Sequence, residues 1–277
     1  MPEDQWLEVG PGVFQRRYEP LDVSIGVVLG TTGATVVDTR NNPKEGQEIL
    51  ADVTQRFHLP VVAVINTHAH YDHTFGNQVF HDAGIAIYGH HLIPKHFQNY
   101  EAPHLKKVQE QPETELDKEW GKVILTAPSR LIDQECTLDL GGREIQLVPL
   151  TAGHTDTDLA IYVPDASVWF LGDIVEESGP PMFGSGAHPL GWPEVLKELL
   201  TRIKPSHTVI PGHGKPINRD FVAEQQQLFE SLAKHIRHGY EQGTAPEQLS
   251  FPSVLRQLWP EDFLREATID GYAQLGD

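Results

Sequence analysis

The sequence predicts an α/β fold with helices packed on the faces of β-sheets. Three observations lead there. Short β-branched runs, of which Val61-Val62-Ala63-Val64-Ile65 is the clearest, read as buried strands. An amphipathic segment at 43–57 follows one strand and precedes the next. Strand, helix, strand in succession places each helix over a sheet, because each element has one apolar side to bury. With 277 residues, 39% of them apolar, the chain can fill a large core, and a single domain over 1–277 is expected.

Residues 13–18 and 22–29 make the first strands, and Gly30-Thr31-Thr32-Gly33 turns the chain into another at 34–38. In 43–57, Ile49, Leu50, Val53 and Phe57 share one helical face, and Pro43 suits the first turn, where its missing N–H is no loss. After the strand at 61–65, Thr74-Phe75-Gly76-Asn77 opens a short helix and 85–88 returns as a strand. Residues 136–140 and 144–148 form a hairpin about Gly141-Gly142. The one cysteine, Cys136, excludes an internal disulfide and is expected as a buried thiol. A second hairpin pairs 159–163 with 168–171. A helix at 192–203, a strand at 208–210 and an exposed-looking helix at 218–240 follow. The chain from about 218 to 277 reads as a helical extension. Its Leu255, Leu258, Trp259, Phe263 and Leu264 are expected to cover the core or to form a homodimer contact.

Composition narrows the partners. The formal net charge is −18, which argues against nucleic acid, whose binding needs a basic face. The same charge gives no long-range help to anionic substrates. The opening residues Met1-Pro2-Glu3-Asp4-Gln5-Trp6 lack a basic segment followed by an apolar run, so no signal peptide is evident. No run approaches membrane-span length. A cytoplasmic protein acting on a small molecule, with no membrane partner, is the expectation.

The densest chemistry is Thr67-His68-Ala69-His70-Tyr71-Asp72-His73, directly after the buried strand at 61–65. Imidazole and carboxylate are zinc ligands, and four of them crowd into six positions. His68 and His70 are two apart, so an extended segment sends both to one side to share an ion. Asp72 and His73 come after the chain turns and can face a second ion. This His-Ala-His-Tyr-Asp-His run resembles the HxHxDH signature of the metallo-β-lactamase-fold hydrolases. Further landmarks of that family stand in order: His154 in Ala152-Gly153-His154-Thr155, Asp173 in Leu171-Gly172-Asp173, and His213 in Pro211-Gly212-His213-Gly214.

The resemblance implies a four-layer αββα sandwich and a two-metal hydrolytic site. It assigns His68, His70 and His154 to one ion, Asp72, His73 and His213 to the other, and Asp173 to a bridge between them. Two zinc ions per chain are expected, with iron or manganese also suited to such nitrogen and oxygen ligands. Asp72 is the expected catalytic residue, orienting the attacking hydroxide. Asp38 ends an apolar strand, where the family has an Asp behind the metals; a turn-capping Asp is the other reading.

The resemblance leaves several branches open. Residues 154–164 are similar to the zinc β-lactamases, but several of those carry Cys where Asp173 stands and Lys where Glu176 stands. Glu176 would repel the carboxylate that such a Lys holds. A small ester, thioester or lactone is therefore the expected substrate, with β-lactam hydrolysis or a mononuclear-iron persulfide dioxygenase as alternatives. Glu176 and His188, in the Gly/Pro-rich stretch 176–191, are the candidate substrate contacts. His90, His91, His96 and His104 read as a solvated helical face or the rim of the site.

Overall fold

A computed structural model describes residues 6–276. Among them, twelve strands form two sheets. In the first, β1 (Leu7–Gly10), β2 (Val13–Tyr18), β3 (Val23–Leu29), β4 (Ala34–Val37), β5 (Val61–Ile65), β6 (Ala86–His90) and β7 (Arg130–Ile132) lie side by side in chain order. The first four pair antiparallel and the rest continue in parallel. The second sheet runs β12-β11-β10-β9-β8, built from β8 (Cys136–Asp139), β9 (Glu144–Pro149), β10 (Leu159–Val163), β11 (Val168–Gly172) and β12 (Thr208–Pro211). Only its β11–β12 pair is parallel.

Strand alternation sorts the core into layers. Val28 and Val37 face inward, where they meet Ile145, Leu147, Ile161 and Phe170 of the other sheet. Their neighbours Val27 and Val36 face outward and pack under Ile49 and Val53 of the helix Pro43–Phe57. Because both faces are covered, β3 is buried along nearly its whole length. That helix starts where the Asn42 side chain accepts a hydrogen bond from the Glu45 N–H, and it ends at His58 in a left-handed conformation. On the far side, Trp169, Leu171 and Val209 lie beneath the helices Trp192–Arg202, Arg219–Glu241 and Glu261–Gly276. The layers are helix, sheet, sheet, helix, the αββα sandwich that the sequence led us to expect.

Two expectations need correction. The helix Arg219–Glu241 is not exposed: Val222, Phe229, Leu232, Ala233 and Ile236 are buried on one stripe. Its long polar face hides that stripe in the composition. Cys136 is half-buried rather than buried, because β8 is an edge strand with one face only partly covered. In the C-terminal segment, Leu255, Trp259 and Leu264 join the core under the second sheet. Among the described residues no helix is long and apolar enough to cross a membrane.

The sheets are tied together at one end of the sandwich. Ser24 N donates to Gly212 O at 2.7 Å, and Leu159 N donates to Thr67 O at 2.7 Å. The loops that follow β5, β11 and β12 converge at that end.

Candidate metal centre

Each ligand-type residue leaves the sheets at a strand end. His68 and His70 follow β5, and the short helix Tyr71–Thr74 then presents Asp72 and His73. His154 precedes β10, Asp173 follows β11 and His213 follows β12. The structure brings all seven together in two groups, His68/His70/His154/Asp173 and Asp72/His73/His213. In the first, His70 Nδ1 faces His154 Nε2 at 3.0 Å, and Asp173 Oδ2 lies 3.6 Å from His154 Nε2 and 3.8 Å from His68 Nε2. In the second, His213 Nε2 is 3.3 Å from both His73 Nε2 and Asp72 Oδ2. Asp173 also reaches this group, 3.1 Å from His73 Nε2 and 3.4 Å from His213 Nε2.

These separations fit a metal. Donor atoms at tetrahedral corners about 2.1 Å from zinc stand about 3.4 Å apart. His68 Nε2 is buried without a hydrogen-bond partner, a costly state that an ion at the cluster would relieve.

The charges agree. Burial and the neighbouring His73 push His68 well below its ordinary value, and burial brings His154 down to about 3, so both rings are neutral, the form that binds metal. Burial alone would raise Asp72 and Asp173, but His73 and His213 outweigh it and keep both carboxyls ionised, Asp72 at about 2. His73 and His213 are raised in turn, against burial, by Asp173 and Asp72, so both rings carry protons that binding of a metal would release.

A hydrogen-bonded frame fixes the ligands from behind. Asp38, fully buried, accepts from Thr67 N at 2.8 Å, Thr67 Oγ1 at 2.7 Å and His73 Nδ1 at 2.9 Å. Thr67 Oγ1 is also 3.1 Å from His68 Nδ1, so this one carboxylate orients two rings. Of the two readings of Asp38, the structure supports the one behind the cluster. On the other side, Thr157 Oγ1 accepts from Ala69 N at 3.0 Å. Gly212 is required by close approach, since a Cβ there would stand 1.8 Å from Asp173 Oδ1.

Comparison with known proteins agrees with this geometry. The sequence profile described as "Metallo-beta-lactamase superfamily" matches residues 18–213. The chain belongs to that superfamily. It is a metal-dependent hydrolase, with metal-binding clusters of His and Asp. A metallo-beta-lactamase type 2 from Bacteroides fragilis is 22% identical over 204 residues, 73% of each chain. The structure of a metallo-beta-lactamase from Pontibacter korlensis superposes with a TM-score of 0.62 at 18% identity, covering 82% of this chain and 98% of that one. A double mutant of the sec-alkyl sulfatase PisA1 superposes with a TM-score of 0.74 at 18% identity, covering 98% of this chain and 50% of that one.

Within this superfamily fold, the two expected substrate contacts part company. Glu176 lines the cavity over the cluster and is close enough to Asp173 and His213 to be a further ligand. Burial, reinforced by Asp173, pushes its carboxyl up to about 8. His188 is not among the lining residues. Its backbone works instead: the N–H donates to Gly153 O, and the carbonyl accepts from Gly191 and Trp192 at the start of the helix Trp192–Arg202.

His96 departs from the expected solvated face. It is fully buried rather than solvated, with Nδ1 2.6 Å from Asp156 Oδ1 and Nε2 3.7 Å from Glu101 Oε1. Burial would lower it, but Asp156 and Glu101 raise it to about 9. Glu101 accepts from Ser185 Oγ at 3.1 Å, and the Ser185 carbonyl accepts from His70 Nε2 at 3.0 Å. The arrangement thus backs a ligand-type residue through its outer nitrogen. His90 is also buried, His91 is exposed, and His104 lines the cavity, as a rim residue should.

Proposed function

We propose that the chain is a dinuclear zinc hydrolase of a small ester, thioester or lactone. The reading rests on one observation: Asp173 stands within 3.8 Å of ring nitrogens from both ligand groups, as a bridging carboxylate should. His68, His70 and His154 would hold one ion, Asp72, His73 and His213 the other. Zinc would supply a Lewis acid for the substrate's carbonyl oxygen and a water that ionises near neutral pH.

The chain's own residues do the rest. Asp72 lines the cavity and accepts a hydrogen bond from the attacking water, aiming it at the acyl carbon. The water oxygen bonds to that carbon, the bond to the leaving oxygen or sulfur breaks, and the proton that the water gives up passes to the leaving group. Asp38 holds His73 and, through Thr67, His68, so the ligands need no rearrangement during the reaction.

The curated relatives named as β-lactamases favour a second reading, hydrolysis of β-lactams. Against it, no Lys or Arg is among the described residues lining the cavity, so neither residue type is there to hold a substrate carboxylate. A zinc-loaded preparation screened against a lactone, a thioester, a neutral ester, a β-lactam and a phosphodiester tests the proposal. Turnover of the first three is expected. Turnover of the β-lactam alone would favour the second reading, and no hydrolysis with one tightly held iron per chain would favour an oxygenase.

A further inference from the structure

The cluster opens into a cavity of about 530 Å³, within the range that takes a drug-sized ligand. Beyond the ligand-type residues its wall includes Leu21, Met182 and Phe263. Met182 is 57% exposed and Leu21 37%. Leu21 lies in the turn between β2 and β3, Met182 in the stretch 176–191, and Phe263 on the C-terminal helix Glu261–Gly276. A lone exposed apolar side chain needs no explanation, but two from separate segments beside the half-buried Phe263 around one cavity do.

Met182 is held in this position. Its neighbours Pro181 and Phe183 are both buried while Met182 stays open. Trp259 Nε1 donates to Pro181 O at 2.8 Å, and the Trp259 ring packs 5.9 Å from that of Phe183. Gln274 Nε2 donates to Ala187 O at 3.2 Å further along. The C-terminal segment therefore fixes the stretch on both sides of Met182 and also supplies Phe263. An apolar residue turned outward between two anchored neighbours is a built surface.

The charges of the wall point the same way. Outside the seven ligand-type residues, the carboxyl groups lining the cavity are those of Glu101 and Glu176, and no Lys or Arg is among the described lining residues.

We infer that Leu21, Met182 and Phe263 form a subsite for an uncharged, apolar arm of the substrate, an acyl chain of medium length. The inference rests on the hydrolase reading above and names its substrate class. The scissile carbonyl lies at the cluster and the chain runs along this wall. Burying each further methylene then adds to the stabilisation of the transition state, while a terminal carboxylate finds acidic neighbours and no partner.

The test uses the zinc-loaded full chain with p-nitrophenyl acetate, butyrate, hexanoate and octanoate. A p-nitrophenyl monoester of a dicarboxylic acid, matched in length to the hexanoate, tests charge. The value of kcat/KM is expected to rise by up to about fourfold per methylene until the wall is filled. The terminal carboxylate should cost tenfold or more against the hexanoate. Met182→Gln, a polar change at an exposed position, and Phe263→Ala should each lower the octanoate-to-acetate ratio of kcat/KM about tenfold. A flat chain-length series, an unchanged ratio in both variants, or a faster carboxylate-bearing ester would overturn the subsite while leaving the hydrolase reading intact. If no ester is cleaved, the hydrolase reading fails, and the subsite is read by calorimetry with 2-decanone, which is uncharged and not hydrolysable. Binding weakened tenfold by Phe263→Ala supports the subsite; no binding to the wild type rejects it.

Discussion

The ligand cluster that floors the cavity takes His68, His70, Asp72 and His73 from six consecutive positions, and hydrogen bonds tie His73 to Asp38 and, through Thr67, His68 to the same carboxylate. The wall of the cavity takes Leu21, Met182 and Phe263 from three distant segments, and two hydrogen bonds from the C-terminal segment hold the stretch around Met182. A floor built on a run of neighbouring residues, completed by His154, Asp173 and His213 at three strand ends, fixes positions closely, as metal ligation requires. A wall assembled from separate segments fixes shape but not atom positions, which is enough for an apolar arm. Substitutions on the floor should therefore change chemistry, and substitutions behind the wall should change selectivity and stability.

The largest expected effect is on the floor. His70→Ala and His154→Ala should each abolish hydrolysis while circular dichroism and thermal melting stay close to the wild type, because both residues lie on loops at strand ends. Unfolding of both variants would mean that the floor is structural rather than chemical.

A smaller effect is expected one layer back. Asp38→Asn keeps the shape but weakens its hold on Thr67 and His73. Zinc affinity, measured by competition with a chelator, should fall about 10–100-fold, the usual cost of losing an outer partner of a metal-bound imidazole. An unchanged affinity would show that the ligands hold their positions without it.

Between floor and wall stands His96. His96→Ala leaves the carboxylates of Asp156 and Glu101 without their shared partner. A loss of about 1–3 kcal/mol in urea unfolding is expected, the cost of leaving a buried polar group unsatisfied. No loss would mean that water replaces the ring.

Trp259→Phe gives the smallest effect. It keeps an aromatic ring against Phe183 and Phe229 but removes the donor to Pro181 O. A stability loss of about 1 kcal/mol is expected, that of one hydrogen bond, together with a reduced preference for long acyl esters. An unchanged preference would separate the C-terminal segment from the wall.

The same contrast explains what the sequence reveals. The floor is legible because metal chemistry demands rare residue types at short spacing, and His68 to His73 show both. The strands and the helix Pro43–Phe57 are legible because burial imposes their periods. His96 misleads because its partner Asp156 is sixty positions away, and nothing local marks the pair. The helix Arg219–Glu241 misleads because its polar residues outnumber its buried stripe. Leu21, Met182 and Phe263 are ordinary apolar residues, and only tertiary packing makes them one surface.

The two groups joined by Asp173 are expected to hold two metal ions. Elemental analysis of the zinc-loaded, desalted chain tests it most directly. Two zinc ions per chain are expected, falling to one or fewer in Asp173→Ala. One ion or fewer in the wild type, or two retained without Asp173, would contradict it.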